Sequence, residues 1–376
     1  MSTSLATDRT GWLNPLGNRL GVPGRSNRLR GRWELNRRNF ADNRIVAAGA
    51  SSMTLSVVAE CSQGLQQLPF KPEGYNYWTW RGYKIHYVEE GEGKGFPIVL
   101  IHGFGSSAFH WRYNIPELSK RYRVYALDLL GFGWSEKARI DYDALIWRDQ
   151  VVDFLKEIVK QPAVLVGNSL GGFTALLAAA ALPDQVKGIS LLNSAGRFAG
   201  DISTTDKTEE TSFYKFIVKP VEKIFQRVVV GLAFWLTMRP EQIEAVLKSG
   251  VYVNHSNVDD YLINSIVRPA ADPNAFEVYY RLLRQIMSNP TKYTLDSVLS
   301  QLSCPLLLLW GDLDPWVHDH AKPNQIKDSY PKTSLVNLQA GHYPQDEVPE
   351  QVNKALLDWL SALEISAPSS ETMSEI

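Results

Sequence analysis

The run Gly167-Asn168-Ser169-Leu170-Gly171-Gly172 sets a serine between glycines, directly after an apolar stretch, Ala163 to Val166, and directly before an alanine-rich one, Phe173 to Leu182. In that setting G-x-S-x-G marks a strand that turns sharply into a helix, with the serine hydroxyl held out at the bend. The bend strains the serine backbone and brings strand and helix too close for side chains at 167 and 171, so glycine is the residue that fits. The pattern alone also describes a glycine-rich turn, but the strand before it and the helix after it favour a nucleophile.

A serine hydroxyl attacks poorly near neutral pH unless a base lies within hydrogen-bond reach and a third group orients that base. Leu306 to Trp310 reads as a strand running into Gly311-Asp312-Leu313-Asp314-Pro315, and Ser334 to Leu338 as a strand followed by Gln339-Ala340-Gly341-His342. Acid and histidine therefore follow the serine in chain order, each on a loop beyond the carboxyl end of a strand, where open α/β sheets bind ligands. Asp314 is taken as the acid, with Asp312 as its alternative, and His342 as the base. Such a trio performs acyl transfer: Ser169 attacks an ester carbonyl, His342 takes its proton, and water later releases the acid.

The reaction also needs donors aimed at the developing oxyanion. Ile98 to Ile101 leads into His102-Gly103-Phe104-Gly105, which assigns the backbone N–H groups of Phe104 and Leu170 to that task. His102 is expected at the edge of the substrate pocket, holding this loop by hydrogen bonds. Trp111, with His110, either lines the pocket or packs in the core. His318 and His320 lack an evident third ligand, so no metal is expected.

The elements that must position these residues alternate. Tyr77 to Val88 reads as a hairpin turning at Arg81-Gly82, and Ile98 to Ile101, Val124 to Leu127, Ala163 to Val166, Ile189 to Leu192, Leu306 to Trp310 and Ser334 to Leu338 read as short strands. Tyr142 to Lys160 carries one apolar face at helical spacing. The alternation implies an α/β fold, a mostly parallel sheet with helices on both faces. It lapses between Arg197 and Leu299, about 100 residues with helical segments and no convincing strand, which predicts an inserted helical cap over 197–299 between core segments 61–196 and 300–365. Within the cap, Asp201 to Glu210 reads as a polar loop and Val228 to Met238 is the most apolar stretch of the chain. Residues 366–376 read as a frayed tail.

Charge sorts the partners. Residues 1 to 60 hold nine Arg, no Lys and four acids, a net +5 against −6 for the rest of a chain whose total is −1. An Arg-rich, Ser-containing, acid-poor beginning without an early apolar core reads as an organelle transit peptide and not as a secretory signal. A disordered basic tail is its alternative. The longest uninterrupted apolar run spans 11 residues, where a membrane-spanning helix needs roughly 20. The slightly acidic body, without a basic stripe, makes nucleic acid a poor partner. Two cysteines, Cys61 and Cys304, cannot supply a disulfide framework.

From Tyr75 to about Leu363 the chain resembles the plant chlorophyll dephytylases, relatives of pheophytinase in the α/β-hydrolase superfamily. The resemblance is carried by YWTWRGYKIHYV (Tyr77 to Val88), IHGFGSSAFHWRYNIP (Ile101 to Pro116), YALDLLGFGWS (Tyr125 to Ser135), VGNSLGGFT (Val166 to Thr174), WGDLDPWV (Trp310 to Val317) and AGHYPQDEVP (Ala340 to Pro349). It implies the α/β-hydrolase fold, the triad Ser169, Asp314 and His342, and a chloroplast enzyme that removes the phytyl ester of chlorophyll or a close derivative without a cofactor. Haloalkane dehalogenases and epoxide hydrolases of this scaffold place Asp where Ser169 stands and are disfavoured. A carboxylesterase acting on another hydrophobic ester, and a small-molecule receptor that keeps its triad, remain as alternatives. Phe234 and Trp235, in the Val228 to Met238 segment, are expected either to line a channel for the isoprenoid tail, to dip into a thylakoid membrane surface, or to pack inside the cap.

Overall fold

The computed structural model describes residues 64–201, 227, 230–288, 293–316 and 321–366. Residues 1–60, read above as a transit peptide, Cys61, nearly all of the polar stretch from Asp201 to Glu210, His318, His320 and the chain beyond 366 lie outside the described residues.

The sheet begins with a hairpin whose turn is set by two residues. Strands β1 (Asn76–Trp80) and β2 (Tyr83–Glu90) pair antiparallel across Arg81 and Gly82, with φ of +48° and +85°. Positive φ at both turn positions gives the two-residue turn whose twist matches that of the flanking strands. Six further strands follow: β3 (Ile98–Ile101), β4 (Val124–Leu127), β5 (Ala163–Asn168), β6 (Val186–Leu192), β7 (Leu306–Gly311) and β8 (Thr333–Leu338). They form one eight-stranded sheet in the order β1-β2-β4-β3-β5-β6-β7-β8. β2 meets β4 antiparallel, and every pairing from β4 through β8 is parallel. β3, β4, β5 and β7 are buried at every position, the condition of parallel strands covered on both faces, which is why they are written as runs such as IVLI and LLLLWG.

Each face has its own core. One is built on α2 (Ala144–Phe154) and α3 (Leu170–Ala181) and joins Phe154, Leu165, Leu176 and Leu308. The other lies under α1 (Asn114–Leu118) and the helix Pro349–Ser366, and joins Leu100, Val166, Leu356 and Leu360. The helix predicted over Tyr142 to Lys160 divides. Asp143 caps α2 by accepting from the Leu145 and Ile146 N–H groups at 3.0 Å, and the chain then widens into a π turn, Leu155–Val159, that stops at Lys160 with φ +58°.

Between β6 and β7 the described residues contain helices and no strand: 230–237, Pro240–Gly250, Asp260–Ala270 and Ala275–Ser288. Ile243, Leu247, Val251, Tyr252, Leu262 and Ile263 form a small core there, completed by Tyr343 from the loop after β8. Among the described residues no helix is long and apolar enough to cross a membrane.

Trp111 requires a correction. It ends a wholly buried 3₁₀ turn, Ala108–Trp111, is 0% exposed, and packs in the second core with Ile115 and Leu118, and it is not among the residues lining the cavity beside Ser169. Removing a side chain of this size leaves a cavity that its neighbours fill only in part. Trp111→Ala is therefore expected to cost ~3–5 kcal/mol, measured by denaturant unfolding, with KM of the folded enzyme unchanged. A raised KM at unaltered stability would restore the pocket role.

Candidate active site

The carboxyl ends of β5, β6, β7 and β8 converge on one cavity. Ser169 links β5 to α3 with φ +51° and ψ −116°, a conformation that costs a non-glycine residue ~1–3 kcal/mol and persists only where its surroundings enforce it. They do so here. The Ser169 N–H donates to the Leu192 carbonyl at 3.0 Å, and the Ser169 carbonyl accepts from Gly172, Phe173 and Ala195 at 3.0, 3.2 and 2.9 Å. A Cβ at Gly167 would collide with the Gly171 backbone, and one at Gly171 with the carbonyl oxygens of Ile101 and His102, so the bend exists only with glycine at both places.

Asp314, not Asp312, is the carboxylate that meets the imidazole. Its Oδ2 accepts from His342 Nδ1 at 2.7 Å and from Asn193 Nδ2 at 2.8 Å, and its Oδ1 accepts from the Trp316 N–H at 2.8 Å. Burial pushes the Asp314 carboxyl upward, but the imidazole and the two amide donors outweigh it and hold the group below the usual carboxylate range. With its proton on Nδ1, the imidazole keeps Nε2 as an acceptor. The ring is fixed at three further points. The His342 N–H donates to the Val251 carbonyl at 3.2 Å, its carbonyl accepts from Asn168 Nδ2 at 2.9 Å, and the Trp316 indole stacks on it at 5.8 Å. Trp316 in turn donates to the Gly250 carbonyl of the cap.

Ser169 and His342 line the same cavity of about 480 Å³, with Asn193, Arg197, Trp316 and Lys322. Among the described residues no hydrogen bond joins the Ser169 hydroxyl to the imidazole directly. Such contacts are often loose before substrate binds.

The loop after β3 closes the site from the other side. A Cβ at Gly103 would lie 3.2 Å from the Ser169 Cβ, so the loop backbone runs against the serine, and Phe104 is the next residue. Leu170 opens α3, where an N–H has no partner inside the helix and the helix dipole favours negative charge. His102 is 1% exposed and uses both nitrogens locally. Nδ1 donates to the Gly103 carbonyl at 2.6 Å and Nε2 accepts from the Leu129 N–H at 3.0 Å. Burial lowers its pKa, which favours a neutral ring that braces the loop. The Phe104 ring leads outward, to Tyr279 at 6.1 Å, from Tyr279 to Phe234 at 5.1 Å, and from Phe234 to Phe276 at 5.9 Å. Phe234 thus packs inward, whereas Trp235 is 62% exposed under the Arg239 guanidinium, 4.4 Å from its ring. Neither is among the residues lining the cavity beside Ser169.

Asn193 and Trp316 escaped the sequence reading. Asn193 follows β6 directly, has φ +42°, and holds the Gly311 N–H at 2.8 Å as well as Asp314. The signal that located Asp314 and His342, a polar residue just past a strand, was present at Asn193 too, and among residues with a side chain asparagine is one that tolerates this backbone well.

A family model described as alpha/beta hydrolase family matches residues 98–355, a span that includes Ser169, Asp314 and His342. The chain is 29% identical over 319 residues to the chloroplastic pheophytinase of Arabidopsis thaliana, covering 75% of this chain and 65% of that protein, slightly less than two thirds of the relative's length. It is 28% identical over 296 residues to epoxide hydrolase 3 of Xenopus tropicalis, covering 74% of this chain and 75% of that one. Among solved structures it superposes on a serine hydrolase involved in carbazole degradation with a TM-score of 0.60 and 25% identity, covering 76% of this chain and 98% of that one. With the elbow at Ser169, the parallel sheet and a family match across more than two thirds of its length, the chain belongs to the alpha/beta hydrolase family.

Proposed function

We propose that the protein is a serine hydrolase of carboxylic esters, acting in the chloroplast on the phytyl ester of chlorophyll or a related pigment and releasing phytol and chlorophyllide. One observation carries the chemistry: the Asp314–His342 pair opens onto the cavity that also holds the strained Ser169. In this reading His342 Nε2 takes the Ser169 proton as the hydroxyl attacks the ester carbonyl. The N–H groups of Phe104 and Leu170 receive the oxyanion. The protonated imidazole then gives its proton to the leaving alcohol, and His342 activates the water that frees the acid. Each step uses only side chains and backbone of this chain, without a cofactor.

The substrate is argued from three features: the likeness to pheophytinase, the Arg-rich beginning of the chain, and the packed aromatic series from Phe104 to Phe276, an apolar region beside the loop after β3 that suits a long isoprenoid tail. The test is pigment hydrolysis by the chain lacking residues 1 to 60, with Ser169→Ala alongside. Phytol release that depends on Ser169 supports the proposal. Turnover of other hydrophobic esters alone would replace the substrate, and a single turnover with ligand-dependent partner binding would replace the enzyme with a receptor.

Peripheral association with the thylakoid is part of the same proposal. Leu232, Trp235 and Leu236 are 58%, 62% and 42% exposed and share one face of a helix, the pattern of an interfacial contact. Trp235→Asp with Leu236→Asp is expected to lower partitioning onto anionic liposomes, read by flotation, by at least about a hundredfold, since each side chain is worth ~1.5–3 kcal/mol on burial, and to leave hydrolysis of a soluble ester intact. Phe234→Asp, which interrupts the inward series, is expected instead to raise KM for the phytyl ester by about tenfold. Equal flotation of the double variant and wild type would discard the membrane contact.

A further inference from the structure

Among the buried acids that the reaction does not use, one lies five residues after His342. Glu347 is 0% exposed, and its carboxylate joins two pieces of chain 87 and more residues apart. Oε1 accepts from the Gly341 N–H at 2.9 Å, and Oε2 accepts from the Val253 and Asn254 N–H groups at 2.9 and 3.0 Å. Gly341 is the residue before His342, and Val253 and Asn254 belong to the cap segment whose Val251 carbonyl receives the His342 N–H. The junction is tight, since a Cβ at Gly341 would meet Val251 O at 2.6 Å and Glu347 Oε1 at 2.8 Å. Asp346 beside it secures the same cap segment. It takes Arg112 on both oxygens at 2.8 and 3.2 Å, and the Tyr252 hydroxyl at 3.0 Å. Burial pushes the Glu347 carboxyl upward against the pull of these amide donors. An ionised acid buried here costs free energy that its three backbone donors must offset.

We propose that Glu347 is a positioning residue for His342, which sets the imidazole over Ser169 by pinning the Gly341 backbone to the cap segment Val253–Asn254. The placement of the base then depends on how the cap is seated. This rests on the reading of Ser169 and His342 as nucleophile and base. One oxygen of Glu347 sits on the residue preceding the base and the other on the cap segment, so a shift of either segment is passed to His342. A displacement of about 1 Å at a reacting group costs on the order of 10²-fold in rate.

The test uses the full chain and a fluorophosphonate probe, whose attack by Ser169 needs the same proton transfer and no particular ester. Saturation kinetics give the maximal labelling rate and the half-saturating concentration, both normalised to the final stoichiometry of labelled serine so that unfolded protein does not count. Glu347→Ala is expected to lower the maximal rate roughly 10–100-fold with half-saturation within about twofold of wild type. Glu347→Gln keeps the volume but sets an amide NH2 against one of the backbone donors, and is expected to fall in between. If the alanine variant does not fold, the glutamine variant carries the same comparison. A normalised rate within twofold of wild type in the variants that fold, while His342→Ala abolishes labelling, would overturn the positioning role and leave the nucleophile and base standing. Labelling that survives His342→Ala, or an unlabelled wild type, would remove the base and the positioning role together.

Discussion

Ser169→Ala is expected to lower turnover on the preferred ester by about 10⁶-fold, and His342→Ala by a similar factor. The substitution at 169 is unusually clean. Alanine keeps the Cβ that already occupies the strained backbone at φ +51°, so the cost of the bend is unchanged and unfolding should occur near the wild-type temperature. What is lost is the oxygen alone. Nucleophile and base act as one unit, so the double variant is expected to be no slower than either single one, with residual catalysis contributed by oxyanion donors and substrate binding. Turnover of the preferred ester by wild type and the three variants measures this. Near-normal turnover in either single variant would refute the assignment, and a double variant far slower than both would show that the two residues act separately.

The sheet was legible because a parallel strand covered on both faces has to be apolar throughout. Leu306 to Trp310 and Ile98 to Ile101 therefore stand out in the sequence within a residue of their ends. The contact between Asp314 and His342 was legible for a related reason: each lies just beyond a strand of a sheet whose carboxyl edge gathers such loops. Periodicity could not show that the helix from Tyr142 divides at Leu155, since the π turn, closed by the Lys160 N–H on the Leu155 carbonyl at 2.8 Å, continues the same apolar face. Trp111 sits in an irregular segment, where no period tells a core indole from a pocket one. Phe234 and Trp235 are neighbours in an all-apolar run, and only tertiary packing reveals that one turns to Tyr279 and the other to solvent. Asn193 bore the same mark as Asp314, a polar residue just past a strand, but its partner lies 118 positions away, and Glu347 reaches one 94 positions away, pairings that no local pattern carries.

Asp314→Asn is expected to lower kcat by ~10⁴, while Asp312→Asn stays within about twofold of wild type. The carboxylate accepts on both oxygens, from His342 and Asn193 on one and from Trp316 on the other. Asparagine replaces one oxygen with a donor, so its NH2 either opposes the Trp316 N–H or takes the place of the oxygen that Asn193 and His342 Nδ1 share. In the second case the imidazole must move its proton to Nε2, where it can no longer accept from Ser169. The same carboxylate links catalysis to stability. Because the folded protein holds Asp314 below its ordinary range, the group contributes stability that is fully present above the unfolded value and is lost as the pH falls through the folded one. Wild type should therefore exceed Asp314→Asn in unfolding free energy at neutral pH, and the two should converge only in strong acid. Denaturant titrations at several pH values, with kcat measured on the same preparations, test both halves. A stability gap that does not vary with pH would show that Asp314 is not held ionised, and an Asp312→Asn variant as slow as Asp314→Asn would show that the imidazole takes its orientation from the other carboxylate.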